Sequence, residues 1–437
     1  MLECIVLVLF ALALLLCLLL DVSLLLALAL GFFLFFGYAL LRGHRLYAVL
    51  KMAFSGIKTV APILLVFLLI GMITAFWRAC GTIAYIVYHA TAVFSPSTVL
   101  LATFLLCAAL SVLTGTAFGT SATMGVICGT IAAGMGIHPA LIGGAVMSGS
   151  YFGDRLSPMS TSALLVATVT GTDIFANIRR MIPPTVVPTA LSCLVYFLLG
   201  QASGDVNSAA EVCALFEAHF TLTPWLLLPA AVIVVLSLFK VRVKITMLVS
   251  LVFAVVLAVL VQGMPLPTLL RTALLGFTPT AEALAGLMSG GGIRSMLNVC
   301  CIILLSATYA GIFKSTGLVN SIKHRLTAVS KAITPFGGTL LTSAITAMIS
   351  CNQTLAIMLS NELCDEIVED GATRALYLEN TAVIIAPLIP WSIACGVTLA
   401  AVNAPPLSVA AACYLYLLPL WQYAVVLWQR KKHPVTK

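Results

Sequence analysis

Long apolar runs recur along the whole chain and are separated by short polar or charged interruptions. The runs that are simplest to delimit cover residues 2–20, 22–41, 59–77, 181–200, 224–239, 245–262 and 296–313. A helix needs about 20 apolar residues to cross the hydrocarbon core of a bilayer. The pattern therefore predicts an all-α, polytopic membrane protein with roughly 10–13 transmembrane segments, some of them broken. Residues 201–222 are more polar and predict an external loop.

The composition agrees with a chain whose surface faces lipid. Of the 437 residues, 62% are hydrophobic and 8% are charged, and the mean hydropathy is +1.15. Soluble domains carry about 25% charged residues, so most of this surface cannot face water. The 13 cysteines and six histidines form neither a C-x-x-C pair nor an H-E-x-x-H motif. Tyr151-Phe152-Gly153-Asp154 lacks the first glycine of the Gly-x-Gly-Asp motif of intramembrane proteases. We therefore expect neither an enzyme nor a cofactor.

The basic residues are clustered beside the ends of apolar runs. Fifteen of the 22 lysines and arginines fall into four clusters: Arg42, Arg45, Lys51 and Lys58; Lys240, Arg242 and Lys244; Lys314, Lys323, Arg325 and Lys331; Arg430, Lys431, Lys432 and Lys437. Such clusters stay on the cytoplasmic side of a membrane protein. They predict a multi-pass protein of the plasma (bacterial inner) membrane with its C-terminus inside. The formal net charge of +8 is thereby explained without a nucleic-acid partner.

Two kinds of polar interruption occur within membrane-grade sequence, and each occurs twice. Ser350-Cys351-Asn352-Gln353-Thr354 interrupts an apolar run as Phe118-Gly119-Thr120-Ser121 does. Glu379-Asn380-Thr381 and Ala386-Pro387-Leu388-Ile389-Pro390-Trp391-Ser392 then follow, as the Gly153-Asp154-Arg155-Leu156-Ser157-Pro158 element follows in the first half. Thr120 and Gln353 are 233 residues apart, as are Asp154 and Pro387. Broken helices at matched positions of two halves are typical of transporters with internal repeats. We expect one transporter domain, residues 1–437, with repeat halves at 59–200 and 224–428 that are related by inversion.

Asp154 and Glu379 are the two carboxylates most clearly placed within apolar sequence. An ionisable side chain inside a membrane is costly and is by default a functional candidate. Asp154 could instead pair with the adjacent Arg155 or cap the following helix. Glu379 could instead be a solvated loop residue or lie in the first turn of a helix.

Neutral polar residues around the interruptions complete the candidate site. They are Thr120, Ser121, Ser157, Ser160, Thr161, Asn352, Gln353, Asn380 and Thr381. Hydroxyl, amide and carbonyl oxygens suit a hard cation, whereas exposed helix N-termini suit a carboxylate. Singly, each residue could instead form an interhelical hydrogen bond worth about 0.6–2 kcal/mol.

The interruptions resemble the NhaC family of sodium/proton antiporters. The resemblance rests on Gly149 to Met181, with its Gly-Asp-Arg-Leu-Ser-Pro-Met-Ser segment, on Ala356 to Val402, with Leu-Glu-Asn-Thr and Ala-Pro-Leu-Ile-Pro-Trp-Ser, and on Gly119-Thr120-Ser121. It implies an inverted-repeat transporter with helical hairpins that exchanges Na⁺ for H⁺ by alternating access. In such an antiporter Asp154, helped by Glu379, would bind Na⁺ and H⁺ competitively. The lipid bilayer and a small ion or organic solute are its expected partners, and association into a homodimer is left open.

Three positions depart from the pattern of that family, which usually carries acids there. They are Thr161, Asn352 and Asn380. Fewer carboxylates leave less negative charge for a cation and fewer proton acceptors. The alternative function is therefore proton-coupled transport or exchange of a small organic anion or amino acid, with little or no dependence on Na⁺.

Overall fold

The computed structural model describes residues 2–19, 24–90, 94–203, 206–239, 241–316 and 333–432. These residues form helices and turns. The described ranges also contain one isolated β-bridge, between Phe277 and Gly290. The all-α class is confirmed. The basic stretch that leads to Lys331 lies outside the described residues, as do the break at Asp21 and the last residues of the tail.

The first ten α-helices carry the features predicted for the first half. Their bounds are α1 Leu2–Leu19, α2 Leu24–Leu41, α3 Leu46–Ala79, α4 Thr82–Ala90, α5 Pro96–Thr114, α6 Ala117–Thr120, α7 Val126–Gly134, α8 Pro139–Leu156, α9 Thr161–Thr170 and α10 Ile174–Ser203. A π-helical turn, Ser121–Gly125, joins α6 to α7. The helix α10 continues through three internal prolines.

The second half also alternates long and short helices. Their bounds are α11 Val206–His219, α12 Leu228–Leu238, α13 Val243–Leu260, α14 Leu266–Leu275, α15 Glu282–Met288, α16 Gly292–Thr316, α17 Pro335–Ser350, α18 Gln353–Cys364, α19 Gly371–Asn380, α20 Ala382–Ile385, α21 Ile393–Ala401 and α22 Cys413–Lys432. The expectation of a polar loop at 201–222 is wrong, because α11 occupies most of that stretch.

Four helices are long and apolar enough to cross a bilayer, within the part of the chain that the structure describes. The number rises to seven when each of three sharply bent pairs is taken as one crossing. One such pair joins α19 and α20 to α21 with a bend of 61°. Further apolar helices of 10–17 residues within the described ranges, such as the ten-residue α9, are too short to be counted as crossings alone.

Glycines bring the long helices into backbone contact. A Cβ on Gly56 of α3 would lie 1.9 Å from the carbonyl oxygen of Ala307 on α16, and Gly311 of α16 meets Met52 of α3 in the same way. On α8, Gly153 has equally little room against α5, since a Cβ there would lie 2.2 Å from the backbone nitrogen of Val112. Small residues permit such close approach in membranes, where packing replaces the hydrophobic effect between helices.

Two helical hairpins end inside the bundle. We call α5 with α6 and α7 the first hairpin, and α17 with α18 the second hairpin. The first turns at Gly115, whose φ is 68°, and the second turns at Cys351, whose φ is 53°. After each turn a side chain caps the returning helix: Thr116 accepts from the amide of Gly119, and Asn352 accepts from the amides of Thr354 and Leu355. Both turns are therefore fixed locally by capping.

Each hairpin turn packs against an interruption in another helix. We call residues 157–160 the first break and residues 389–392 the second break. A Cβ on Gly115 would lie 2.6 Å from the carbonyl carbon of Met159, so the first turn touches the first break. The indole Nε1 of Trp391 donates to the carbonyl oxygen of Met348 at 3.0 Å, and the amide of Ile393 donates to that of Cys351 at 2.9 Å, so the end of the second hairpin touches the second break.

Candidate functional site at the helix breaks

The carboxylate of Asp154 lies where the first break and the second hairpin meet. Asp154 stands in the last turn of α8 and is 5% exposed. Its Oδ1 accepts from the hydroxyl of Ser160 at 3.0 Å, and its Oδ2 accepts from the hydroxyl of Ser162 at 2.8 Å and from the amide Nε2 of Gln353 at 3.3 Å. Three neutral donors from two separate elements thus compensate one buried carboxylate.

The local sequence explains why α8 ends beside this carboxylate. Pro158 follows Ser157, and the residue before a proline is disfavoured in the helical conformation. Ser157 is extended, with φ −95° and ψ 131°. Ser160 then caps α9 by accepting from the amides of Ser162 and Ala163. The same hydroxyl therefore starts α9 and donates to Asp154.

Of the serines around Asp154, Ser162 was not anticipated from the sequence. The side chain of Thr161 is exposed, whereas that of Ser162 is buried. Once Ser160 is recognised as the helix cap, the backbone directions on either side of it decide which hydroxyl faces Asp154. The sequence signal for this contact was the Ser-x-Ser spacing of Ser160 and Ser162, which begins at the helix cap.

The first hairpin approaches the same carboxylate from another side. The backbone amide of Ala117, at the start of α6, interacts favourably with Asp154. The predicted residues Thr120 and Ser121 are both buried but bond within the bundle rather than to Asp154. The Ser121 hydroxyl lies 2.8 Å from the carbonyl oxygen of Ala117 and 3.0 Å from the Ser150 hydroxyl.

Other predicted residues hold the surrounding backbone in place. The Thr120 and Thr114 hydroxyls lie 3.3 Å apart, and the Ser157 hydroxyl accepts from the amide of Met159 at 3.3 Å. The side-chain oxygen of Asn352 is committed to its capping role. The Thr381 hydroxyl lies 2.9 Å from the Ser343 hydroxyl on α17. The structure thus brings Ser160 and Gln353 to Asp154 and places these four residues in supporting contacts.

Arg155 does not pair with the neighbouring Asp154. Its guanidinium is fully buried and donates from Nε and Nη2 to Oδ1 of Asn380, at 3.0 and 2.5 Å. Nη1 donates to the hydroxyl of Thr185 at 2.6 Å and to the hydroxyl of Tyr414 at 3.3 Å. Arg155 therefore ties α8 to α10, α19 and α22 through neutral oxygens. The salt bridge considered as an alternative role for Asp154 is absent among these contacts.

Glu379 differs from Asp154 in having no hydrogen-bond donor. It is fully buried in the last turn of α19, and neither carboxylate oxygen has a hydrogen-bond partner in the described part of the chain. It is therefore neither a solvated loop residue nor a first-turn acid. It interacts electrostatically with Arg155 and with Asp154. An ionised carboxylate without donors is expensive in a protein interior, so Glu379 is less well compensated by its surroundings than Asp154.

The charges of this cluster can balance in more than one way. Asp154 and Glu379 supply up to two negative charges, and Arg155 supplies one fixed positive charge. Serine hydroxyls can rotate from donating to a carboxylate to presenting a lone pair to a cation, and the amide of Gln353 carries an oxygen as well as its donor nitrogen. The site can thus exchange a small cation for protons without a large change in buried charge.

Comparison with known proteins places this chain in a recognised family. The sequence profile of the Na⁺/H⁺ antiporter family matches residues 1–173 and 149–420. The chain is 30% identical to a Malate-2H(+)/Na(+)-lactate antiporter of Bacillus subtilis over 77% of this chain and 74% of that protein. It is 25% identical to the Na(+)/H(+) antiporter NhaC of Alkalihalophilus pseudofirmus, over 78% and 76% respectively. It is 26% identical to the arginine/ornithine antiporter ArcD of Halobacterium salinarum, over 74% and 70%.

These matches confirm the relationship inferred from the broken-helix motifs. They also confirm that the chain is a transporter and not an enzyme, and that its substrates are ions or small solutes carried across a membrane. The chain therefore belongs to the Na⁺/H⁺ antiporter family.

Proposed function

We propose that Na⁺ and H⁺ compete for binding to the carboxylate of Asp154 in this antiporter. The observation that carries the proposal is the set of rotatable polar groups around one buried carboxylate: Ser160, Ser162 and Gln353. In the Na⁺-bound state, their oxygens turn toward the ion and complete its shell with the carboxylate. In the Na⁺-free state, the hydroxyls and the amide donate to the carboxylate, or a proton neutralises it.

Glu379 provides the second step of the exchange. With Glu379 protonated, the charges of Asp154 and Arg155 cancel. Entry of Na⁺ adds one positive charge to a buried site, and loss of the Glu379 proton restores the balance. Because a charge imbalance is costly in the interior, Na⁺ binding and proton release are linked. Alternating access then converts this competition into exchange across the membrane.

The two hairpins and the two breaks undergo the conformational change of alternating access. The halves 59–200 and 224–428 form an inverted repeat, so that the first hairpin enters from one side of the membrane and the second hairpin from the other. The matched contacts of Gly115 with the first break and Met348 with the second break support this arrangement. Rocking of one half against the other would open Asp154 to each side in turn.

The basic residues orient the transporter in the plasma membrane. Arg45 stands at the start of α3, Arg242 at the start of α13 and Arg430 near the end of α22. Loops and helix ends that are rich in lysine and arginine remain on the cytoplasmic side of a membrane. These helix ends, together with the C-terminal tail, are therefore assigned to the cytoplasm.

Transport in proteoliposomes with an imposed pH gradient tests the proposal. Addition of Na⁺ to vesicles carrying the unaltered chain is expected to dissipate the gradient, and Asp154→Asn is expected to abolish this effect. Asp173→Asn makes the same substitution at an exposed residue that only caps α10, and is expected to exchange Na⁺ normally. Undiminished exchange by Asp154→Asn would refute the role of Asp154.

A further inference from the structure

A cavity of about 280 Å³ lies apart from the Asp154 site. It separates α3 and α16, on one side, from α7, α8 and the end of α21 on the other. None of the residues assigned to ion exchange lines it. Its volume is near the lower end of the roughly 300–1,000 Å³ that small-molecule pockets span, so it has room for a solute with a few heavy atoms.

The cavity lies at the opposite end of α3 from the basic cluster that begins at Arg42. The helix α3 has 34 residues, starts after Arg45 and carries Arg78 in its last turn. At about 1.5 Å of rise per residue, these two arginines are roughly 50 Å apart along the axis. With the orientation given above, Arg78 and its cavity belong to the external side of the transporter.

Arg78 is the only charged side chain among the described residues that line this cavity. One of its donors, Nη1, is committed to the carbonyl oxygen of Ser289 at 3.0 Å. The loop around it has no side chain at Gly290, where a Cβ would lie 2.5 Å from Nη1. The guanidinium has five N–H donors in a fixed fork, so it retains donors for a planar anion.

Three of the four side-chain hydroxyl groups that line the cavity already donate to backbone carbonyl oxygens. Thr74 donates to the carbonyl oxygen of Ile70 at 2.9 Å, Thr130 to that of Val126 at 2.7 Å, and Ser295 to that of Gly292 at 2.7 Å. Each hydroxyl has a single hydrogen, which these bonds already use. Arg78 is therefore the charged donor that an anion meets in this cavity, alongside the neutral side chains of Ser289 and Asn403.

The apolar side chains that line the rest of the cavity favour an organic ligand over an inorganic ion. The apolar side chains include Ile83, Val87, Ile142, Met288 and Met296. A fixed guanidinium repels Na⁺, and an apolar wall offers nothing to the hydration shell of a bare inorganic anion. A short carbon chain that ends in a carboxylate satisfies both features, because guanidinium and carboxylate pair through two parallel hydrogen bonds.

We propose that the Arg78 cavity is a second binding site, separate from the cation site, for a small organic carboxylate. The carboxylate pairs with the guanidinium of Arg78, and its carbon skeleton packs against the apolar wall between α4, α8 and α16. The site adds an anion to the solutes that this antiporter recognises from the external side.

Binding to the purified full-length protein tests the site without depending on transport. The probes are acetate, succinate and chloride, each as its N-methylglucamine salt so that Na⁺ is absent, and titration calorimetry measures the affinity. Succinate or acetate is expected to bind the unaltered chain, and Arg78→Gln is expected to weaken binding by about tenfold to a hundredfold. Arg78→Lys keeps the charge without the planar fork, and is expected to be intermediate.

Two controls separate this proposal from a folding defect and from the cation mechanism. Arg294→Gln removes an exposed arginine of α16 that does not line the cavity, and is expected to bind carboxylates normally. Asp154→Asn is likewise expected to bind them normally, and Arg78→Gln is expected to retain Na⁺/H⁺ exchange in the absence of organic anions. Equal binding by Arg78→Gln, no carboxylate binding at all, or equally tight chloride binding would each overturn the proposal.

Discussion

The guanidinium of Arg155 is joined to the amide oxygen of Asn380 by two hydrogen bonds, at 2.5 Å from Nη2 and 3.0 Å from Nε. The two residues are 225 positions apart and belong to different halves of the chain. Both side chains are completely buried. Because Asn380 is neutral, it satisfies the guanidinium without neutralising it, and the positive charge remains available to offset Asp154 or Glu379.

Replacing Asn380, the acceptor for the Arg155 guanidinium, should lower the free energy of unfolding. Asn380→Leu keeps a similar volume but leaves the buried guanidinium without its principal acceptor. Hydrogen bonds to charged groups contribute about 1.5–3 kcal/mol, so the free energy of unfolding is expected to fall by about that amount. The measurement is the melting temperature of the purified protein in detergent, with the exposed Thr161→Val as the control. Equal melting temperatures for both variants would contradict the role of Asn380.

Adjacent residues on α9 provide a matched test of the cation site. Ser162→Ala removes a hydroxyl that contacts Asp154 at 2.8 Å, whereas Thr161→Ala removes one from the exposed side of the helix. Loss of one ligand is expected to raise the Na⁺ concentration for half-maximal exchange by about 5- to 30-fold, which corresponds to about 1–2 kcal/mol. Thr161→Ala should leave it unchanged. The dependence of exchange rate on Na⁺ concentration measures both, and a reversed order would show that Thr161 faces the ion.

The sequence was sufficient for those parts of the site that depend on local chemistry. Asp154 and Ser160 could be identified because a glycine-rich helix end followed by Ser-Pro disfavours continuation of the helix. The contact between Arg155 and Asn380 could not be identified, because it depends on how α8 and α19 pack. Glu379 could be singled out as a carboxylate within apolar sequence, but its place in the last turn of α19, away from hydrogen-bond donors, could not be read from the sequence. The Arg78 cavity likewise arises from helix packing and has no sequence motif.

The contact between α3 and α16 depends on the absence of side chains. Gly56→Ala would place a methyl group 1.9 Å from the carbonyl oxygen of Ala307, so the two helices must separate. Overpacking of this kind costs typically about 1–3 kcal/mol. Gly37→Ala on α2 is the matched control, because a Cβ there meets no atom within 4 Å. Thermal unfolding is expected to show a lower melting temperature for Gly56→Ala and an equal or slightly higher one for Gly37→Ala. A wild-type melting temperature for Gly56→Ala would mean that this helix contact is not tight.

The exposed cap of α19 should give part of the stability a dependence on pH. The carboxylate of Asp370 accepts from the amide of Thr373 at 2.8 Å and from its hydroxyl at 2.6 Å. These hydrogen bonds lower the pKa of Asp370. A lowered pKa in the folded state means that the stabilisation is present above the ordinary carboxyl pKa and is lost as pH falls through the folded value. Asp370→Asn also caps a helix but does not titrate. Melting temperatures from about pH 6 down to about pH 3 are expected to fall more steeply for the unaltered chain than for Asp370→Asn. Parallel curves would contradict this assignment.

The buried Glu379 should affect coupling to protons more than stability. Glu379→Gln keeps the shape of a protonated glutamate and removes the proton that the exchange requires. Since neither oxygen of Glu379 has a partner in the described chain, the substitution breaks no hydrogen bond, and the melting temperature is expected to stay the same or rise. The rate of Na⁺ movement is expected to lose the part of its pH dependence that arises from Glu379 and to keep the part that arises from competition at Asp154. Glu362→Gln, at an exposed position of α18, should keep the pH profile of the unaltered chain. Measuring Na⁺ flux across a series of equal internal and external pH values separates the two variants. An unchanged pH profile in Glu379→Gln would assign the transported proton to Asp154 alone, because Asp154 would then be the only carboxylate of this cluster that still titrates.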